Sequence, residues 1–367
     1  MTQSTRRPFR PLVLFSLLLS LLVQPSALGD TLLGVYYGNQ GWKMEQVRAM
    51  EGWQGKRHAV VVLFTDWCGQ RKTMDNLFNQ QLPNVWNNKN VPLITWEPYI
   101  CSPAGTPADV EVRAADGQYD AYLNAWADRL KVFLSGPDGL YGTADDRRAY
   151  IRPGHEMNGD WYPWGAAAGG NSPGDYVRMW RRVVNLFRGK ALNATRVQWV
   201  WAVNHTDVGG ALAEQYYPGD DYVDWVAIDG YNWGASQVWS SWQTPGQTYG
   251  PMSARLRTLT SKPLAITEGA STTSTAAGAD VGAKSGWVTE FFNYLSADDV
   301  RMVAWFNEDK ETDWAVFGGA SGDSTFKSGR TTYRAYAAYR AAVGFGGLIP
   351  SDANNVRLLT DAQFAGQ

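Results

Sequence analysis

The stretch AYIRPGHE at residues 149–156 leads, through an amphipathic segment at 173–189, to the apolar run VQWVWAVNH at 197–205. Apolar runs with little polar alternation are typical of strands buried on both faces, as strands of parallel sheets are. Parallel neighbours need a crossover connection, and the segment at 173–189 has the length and spacing of a crossover helix. This strand, helix and strand therefore predict a parallel sheet covered by helices.

The same unit repeats along residues 32–346. Strands are predicted at eight positions, 32–38, 58–67, 92–100, 149–156, 197–205, 223–232, 263–269 and 300–307. Helices are predicted at 43–52, 73–82, 118–134, 173–189, 250–260, 282–296 and 331–343, whereas 206–222 is only weakly helical. Eight such repeats predict an α/β fold, a single-domain (β/α)8 TIM barrel. An open doubly wound sheet is the alternative, but GVYYG at 34–38 lacks the glycine pattern of its phosphate loop.

The N-terminus carries an export pattern. Three arginines up to Arg10 precede an apolar run at 12–23 and the small-residue sequence ALG at 27–29, which predicts a signal peptide at 1–29 and a secreted protein. A twin-arginine signal is an alternative to an ordinary basic leader. The run is shorter than the ~20 residues of a spanning helix, so no membrane partner is expected. The remaining chain is divided into a barrel domain at 30–346 and a C-terminal tail at 347–367.

The cysteines fit an exported protein. Cys68 and Cys101 each follow the end of a predicted strand, and these two strands are neighbours in the barrel. Oxidising compartments favour disulfides, so one bond between them is predicted, with two free thiols as the alternative.

Composition restricts the chemistry. The chain has 33 Lys and Arg against 35 Asp and Glu, and no basic block that would suit nucleic acid. Its three histidines are scattered and two cysteines cannot build a thiolate zinc site, so no metal and no cofactor are expected. An Asp-rich segment at 138–146 could hold calcium, but a polar turn is the preferred interpretation. The 18 tryptophans, many beside polar residues, suit a neutral sugar partner.

Reactive side chains collect at the predicted strand ends, where a barrel places its active site. Glycoside cleavage needs one carboxylic acid and one carboxylate, and strands four and seven, which lie across the barrel from each other, end in Glu156 and Glu268. Glu156 should have the higher pKa because the Glu268 charge repels its ionised form. Tyr231 could donate a hydrogen bond that keeps Glu268 ionised, and His155 could hold a sugar hydroxyl. The separation of the carboxyl groups, which decides retention or inversion, is not given by sequence.

Four motifs carry a family resemblance. The run RPGHEMNGDWYPWG at 152–165 resembles the acid/base segment of glycoside hydrolase family 26, and AITEGAS at 265–271 resembles its nucleophile segment. IDGYNWG from Ile228 and AWFNEDKETDW from Ala304 resemble that family's sixth and eighth strand ends. The resemblance covers about residues 32–344.

The resemblance implies a barrel with catalytic glutamates on strands four and seven and a retaining double displacement. Glu156 would be the acid/base and Glu268 the nucleophile. The positions that match the family's cleft around the cleaved bond are His155, Trp161, Asp229, Tyr231 and Trp305.

The resemblance leaves the polysaccharide open. Most members of the family are endo-β-1,4-mannanases, so β-1,4-mannan is the first expectation, with mixed-linkage β-1,3-1,4-glucan and β-1,3-xylan as alternatives. The mannanases usually end strand three with Trp-His, whereas this chain has Trp96-Glu97-Pro98, which looks more like the glucan-cleaving members. Trp96 and Glu97 are therefore added to the expected substrate contacts. Other possibilities are a non-catalytic carbohydrate-binding barrel and an exo-acting enzyme, and a monomer is expected.

Overall fold

Eight parallel strands close into a barrel in the computed structural model, which describes Met1 and residues 31–367. The barrel closes because the last barrel strand pairs with both the seventh and the first. The barrel strands are β1 (Thr31–Tyr36), β2 (Val60–Asp66), β3 (Val91–Glu97), β4 (Ala149–Pro153), β5 (Val197–Asn204), β6 (Trp225–Asn232), β7 (Leu264–Ser271) and β10 (Val300–Phe306). The predicted (β/α)8 barrel is confirmed. The predicted signal peptide lies outside the described residues.

Helices surround the barrel. They are α1 (Glu45–Gln54), α2 (Arg71–Asn76), α3 (Leu82–Asn87), α4 (Val110–Ala115), α5 (Asp120–Leu134), α6 (Pro173–Gly189), α7 (Pro245–Leu259), α8 (Val281–Ala297), α9 (Ala337–Gly344) and α10 (Asp361–Phe364). One π-helical turn (Leu77–Gln81) joins α2 to α3, and the weakly helical 206–222 contains only short 3-10 turns at Ala213–Tyr216 and Asp220–Tyr222. Among the described helices, none is long and apolar enough to cross a bilayer.

The predicted helix at 331–343 is partly wrong. Residues 331–335 form the strand β12 (Thr331–Ala335), which pairs with β11 (Ser324–Ser328), and α9 starts only at Ala337. Thr331, Thr332 and Tyr333 are β-branched or aromatic and favour a strand once a partner strand is present. A second, smaller hairpin follows β7, with β8 (Ser274–Thr275) paired to β9 (Gly278–Ala279).

The strands are apolar because both of their faces are covered. All eight residues of β5 are buried, as are all six of β1. Side chains alternate between the barrel interior and the helix layer, so neighbouring residues at a strand end point in opposite directions. This alternation decides which predicted site residues reach the cleft.

Cys68 and Cys101 form the predicted disulfide. The bond joins the segments that follow β2 and β3, so it ties two strand ends together at the rim that carries Glu97. The expected bond is confirmed.

The C-terminal residues pack on the opposite end of the barrel. Strand β13 (Leu348–Ile349) pairs with the start of β1. The buried Arg148, just before β4, donates to the Leu359 carbonyl at 2.9 Å and pairs with Asp361. Phe364 is buried against Tyr150, with 4.7 Å between ring centroids. The tail therefore covers the end of the barrel away from the site.

Candidate active site

The carboxyl ends of the strands open into a cleft of about 730 Å³. Glutamates lie along it, namely Glu97, Glu156, Glu268, Glu308 and Glu311. Aromatic rings form most of its apolar surface, namely Tyr36, Phe64, Trp161, Tyr162, Tyr231, Trp233, Trp239, Phe306 and Trp314. The structure thus brings both predicted catalytic glutamates into one cleft with aromatic walls, a composition that suits sugar rings.

Glu156 follows β4 in an unusual backbone conformation, with φ of 53°. Such a conformation in a residue other than glycine costs energy and persists where the surroundings enforce it, often at functional sites. Here the Glu156 amide donates to the Ala202 carbonyl at 2.9 Å, and Trp161 Nε1 donates to Glu156 Oε2 at 2.8 Å. Burial, and secondly the charge of Glu268, raise the pKa of Glu156 well above its ordinary value. The raised pKa is the direction predicted from the sequence, and it suits a general acid.

Glu268, at the end of β7, is held through both carboxylate oxygens. Arg152 Nη2 donates to Oε1 at 2.5 Å, and the Tyr231 hydroxyl donates to Oε2 at 2.5 Å, as predicted. Hydrogen bonds to a carboxylate from a cation or a phenol are stronger than neutral ones and favour the charged form. The two donors fix the orientation of the Glu268 carboxyl group.

Arg152 is a site residue that the sequence analysis missed. Its guanidinium is fully buried and bridges two carboxylates, with Nη1 at 2.6 Å from Asp229 Oδ2. Thr95 Oγ1 accepts from the same guanidinium at 2.6 Å. An arginine within the apolar strand AYIRP was the available signal, because a buried guanidinium must have anionic or hydrogen-bonding partners.

Asp229 and His155 do not line the cleft, contrary to expectation. Asp229 is fully buried and forms an ion pair with Arg152. His155 is 1% exposed, and its Nε2 lies 3.1 Å from the Tyr162 hydroxyl and 4.0 Å from Glu268 Oε1. Burial lowers the pKa of His155 well below its ordinary value, so the ring is neutral. His155 contacts Tyr162, which lines the cleft, and Asp229 pairs with the buried Arg152.

Trp96 and Trp305 do not line the cleft either. Trp96 is fully buried and stacks on Trp126 of α5, with 4.2 Å between centroids. Trp305 is 1% exposed and packs against Phe291 of α8 at 5.7 Å. Alternation along a strand explains both results, because the neighbours Glu97 and Phe306 are the residues that line the cleft.

Trp161 and Glu97 do lie on the cleft. Trp161 is 45% exposed, and a Cβ at position 159 would lie 2.5 Å from its ring, so Gly159 is needed for this placement. Burial, and secondly the charge of Glu268, raise the pKa of Glu97 to about 7. No hydrogen bond from residues 31–367 reaches the Glu97 carboxyl group, which is therefore available to a ligand.

The loop after β6 adds an exposed aromatic wall. Trp239 is 69% exposed and its ring lies 5.3 Å from that of Trp233. His205 lies on the same cleft, and burial lowers its pKa to about 4, which keeps it neutral. The crowding of tryptophans in this loop is visible in the sequence, but sequence alone leaves open whether they pack the loop or face a substrate.

The described residues show no cluster of three or more His, Cys, Asp or Glu side chains that could hold a metal ion. In the Asp-rich segment, Asp146 instead pairs with Arg196 at 2.6 Å.

Comparison with known proteins agrees with the motifs. The model of glycosyl hydrolase family 26 matches residues 145–244. The predicted family is confirmed. The family 26 match includes Glu156 and Tyr231 and ends before Glu268.

Two relatives show how far the similarity extends. Endoglucanase H of Acetivibrio thermocellus is 33% identical over 326 residues, which is 87% of this chain and 31% of that protein. Mannan endo-1,4-beta-mannosidase A and B of Caldalkalibacillus mannanilyticus is 30% identical over 169 residues, 42% of this chain and 31% of that protein. The chain thus spans about a third of the length of these relatives.

Solved structures share the fold. A mannanase of Bacillus subtilis, BCman, has a TM-score of 0.54 at 19% identity and covers 77% of this chain and 82% of its own. The family 26 β-mannanase BoMan26A of Bacteroides ovatus has a TM-score of 0.55 at 18% identity, over 78% and 84% of the two chains.

Proposed function

We propose that the protein is a secreted endo-β-glycanase that cleaves a β-glucan with retention of anomeric configuration. The observation that carries this proposal is the pairing of Glu156, buried with a raised pKa, with Glu268, a carboxylate held by a cation and a phenol. A general acid needs a raised pKa, as Glu156 has, whereas a nucleophile needs a carboxylate held in a defined orientation, as Glu268 is.

The chemistry takes two steps. Glu268 attacks the anomeric carbon while Glu156 transfers its proton to the departing glycosidic oxygen, so one C–O bond forms on the enzyme as the glycosidic bond breaks. Glu156, now ionised, takes a proton from a water molecule, whose oxygen attacks the anomeric carbon and releases Glu268 as a carboxylate. The product keeps the configuration of the substrate. Arg152 and Tyr231 orient Glu268 for the first attack and receive it again after the second.

The substrate is assigned to β-glucan on two grounds. The relative that aligns over 87% of the chain is an endoglucanase by name, whereas the mannosidases align over 42% to 43%. Glu97 also occupies a cleft position with an unsatisfied carboxyl group, in place of the histidine expected for mannan.

β-1,4-Mannan is the second candidate. Three relatives that align with part of the chain are mannan endo-1,4-beta-mannosidases by name. Secretion, which rests on the charged and apolar pattern of residues 1–29, and action as a monomer belong to the same proposal.

The deciding experiment is release of reducing ends from mixed-linkage β-glucan, β-1,4-glucan, galactomannan, glucomannan and β-1,3-xylan, with Glu268→Ala as control. We expect a glucan to be cleaved to mixed oligomers and the variant to be inactive. Proton NMR of the first product anomer tests retention. Preferred cleavage of galactomannan would reverse the substrate assignment. Binding without cleavage of any polymer would favour a carbohydrate-binding barrel.

A further inference from the structure

A buried lysine lies outside the cleft and has no part in the steps above. Lys284, in the first turn of α8, has no exposed surface. Its ammonium donates to the Ala315 carbonyl at 3.0 Å and to the Asp313 carbonyl, and lies 4.8 Å from the Tyr336 ring centroid. Burying a charged amine is costly unless such partners replace its hydration. The segment that it holds therefore has a defined backbone conformation.

Trp314 lies between the two carbonyls that Lys284 binds. Its own carbonyl accepts from Trp305 Nε1 at 3.1 Å, so three successive carbonyls, at 313–315, are held by side chains of α8 and β10. The Asp309 carboxylate accepts from the Ala315 amide at 2.9 Å, so the residue after Trp314 is held through its amide as well as its carbonyl. The backbone on both sides of Trp314 is thus held by side chains, and the ring itself is oriented by Trp314 Nε1, which donates to Glu311 Oε2 at 3.1 Å.

The Trp314 ring connects this backbone to the catalytic carboxylate. It packs against Tyr231, with 5.0 Å between centroids, and edge-on against Trp233 at 4.8 Å. The Tyr231 hydroxyl donates to Glu268 Oε2 at 2.5 Å. A displacement of Trp314 would therefore remove the shortest ring contact of Tyr231, whose other ring contacts are Phe306 at 5.6 Å and Trp233 at 6.1 Å.

We propose that Lys284 is a positioning residue that fixes the backbone of Trp314, so that the Trp314 ring holds the Tyr231 hydroxyl on Glu268. The inference rests on the proposed function, because it assigns Lys284 a role in the attack by Glu268. Asp313, whose carboxylate lies 3.9 Å from the ammonium, supports the same segment by accepting from Thr272 and Thr273.

The test is Lys284→Met in the full chain, assayed on the polymer that the wild type cleaves best. Methionine keeps an unbranched side chain that is shorter by only the terminal nitrogen, and it removes the donors and the charge. We expect kcat to fall about ten- to a hundredfold, as small misplacements of reacting groups do, while KM changes by less than about threefold. Lys56→Met is the matched control, since Lys56 also donates to two backbone carbonyls, of Phe345 and Leu348, but at the opposite end of the barrel. It should change kcat by less than about twofold.

A double-mutant cycle with Tyr231→Phe separates positioning from general loosening. If Lys284 acts through Tyr231, adding Lys284→Met to Tyr231→Phe should change kcat by less than about twofold, because the affected hydrogen bond is already gone. Multiplicative effects of the two changes would overturn the proposal. So would a Lys284→Met kcat equal to that of Lys56→Met.

Asp309→Ala provides a second variant if Lys284→Met does not fold. Asp309 is exposed and accepts from the Ala315 and Ala320 amides, so its loss loosens the same segment at less risk to the core. We expect about a threefold to tenfold loss of kcat, again absent in the Tyr231→Phe background. Unchanged kcat would contradict the proposal. An inactive wild type on every polymer would instead refute the proposed function, so the two failures are distinguishable.

Discussion

The ends of β4 and β7 hold their glutamates in different ways. Among the described residues, the Glu156 carboxyl group receives one hydrogen bond, from the half-exposed Trp161, and Glu156 has a backbone with positive φ. Glu268 accepts one hydrogen bond from the guanidinium of Arg152 and one from the phenol of Tyr231, and both side chains are mostly buried. Burial raises the pKa of Glu156, which suits a group that must gain and lose a proton, whereas Glu268 accepts from two donors that hold its orientation. The difference supports the proposed roles of Glu156 as acid and Glu268 as nucleophile.

Removing either carboxylate should have the largest effect. Glu268→Ala eliminates the nucleophile, so we expect kcat on the best polymer to fall by about 10⁴-fold or more. Glu156→Ala should be comparably inactive on polymers but less impaired on aryl glycosides, whose leaving groups need no proton. Stopped assays of both variants on polymer and aryl glycoside check this. Equal losses on the two substrates in Glu156→Ala would contradict the assignment of the acid.

Arg152→Met should combine loss of activity with loss of stability. It leaves Asp229 and Glu268 as close buried carboxylates with no cation, which costs about 3 to 5 kcal/mol when a buried pair loses one partner. We also expect kcat to fall by about 10²-fold or more, since Glu268 loses its orienting bond. Denaturant unfolding and kcat measured on the folded fraction separate the two effects. Arg129→Met, which breaks the partly exposed pair with Asp75, is the control and should cost no more than about 1 kcal/mol.

Trp161→Phe should act on the pH profile more than on the maximal rate. The Trp161 hydrogen bond lowers the pKa of Glu156, against the rise caused by burial and by Glu268. Without it the pKa of Glu156 rises, so the acid stays protonated to higher pH. The alkaline limb of kcat/KM should therefore move to higher pH, and profiles of the variant and wild type over pH 5–10 would show it. A shift to lower pH would mean that Trp161 does not act on Glu156 in this way.

Much of the site follows from the sequence, because it depends on position along the chain. Apolar runs separated by helices give the barrel, and strand ends in a barrel gather at one rim, which brings Glu156, Glu268 and Tyr231 together. The direction of a side chain at a strand end depends on register and local twist. Trp96 and Trp305 are one residue from cleft positions and point to the helices instead.

The supporting residues were harder to predict for another reason. Arg152 bridges Asp229 and Glu268 across gaps of 77 and 116 residues, and Lys284 holds carbonyls 29 and 31 residues away. Local sequence patterns do not predict partners that are so far apart in the chain. A charged residue inside an apolar strand or on the buried side of a helix indicates only that a partner exists.

Glu97→Gln should have the smallest effect and the sharpest dependence on pH. The pKa of Glu97 is raised to about 7, so below that pH the group is a neutral carboxyl that glutamine imitates in size and hydrogen bonding. We expect KM for the glucan to stay within about threefold at pH 5.5.

Above pH 7 the Glu97 carboxyl group of the wild type is ionised. Its negative charge lies near Glu268, and the ionised group can no longer donate a hydrogen bond to a sugar. The wild type should therefore lose affinity between pH 6 and 8 while Glu97→Gln does not. KM against pH for both proteins is the measurement, and parallel curves would show that Glu97 does not contact the sugar as a neutral acid.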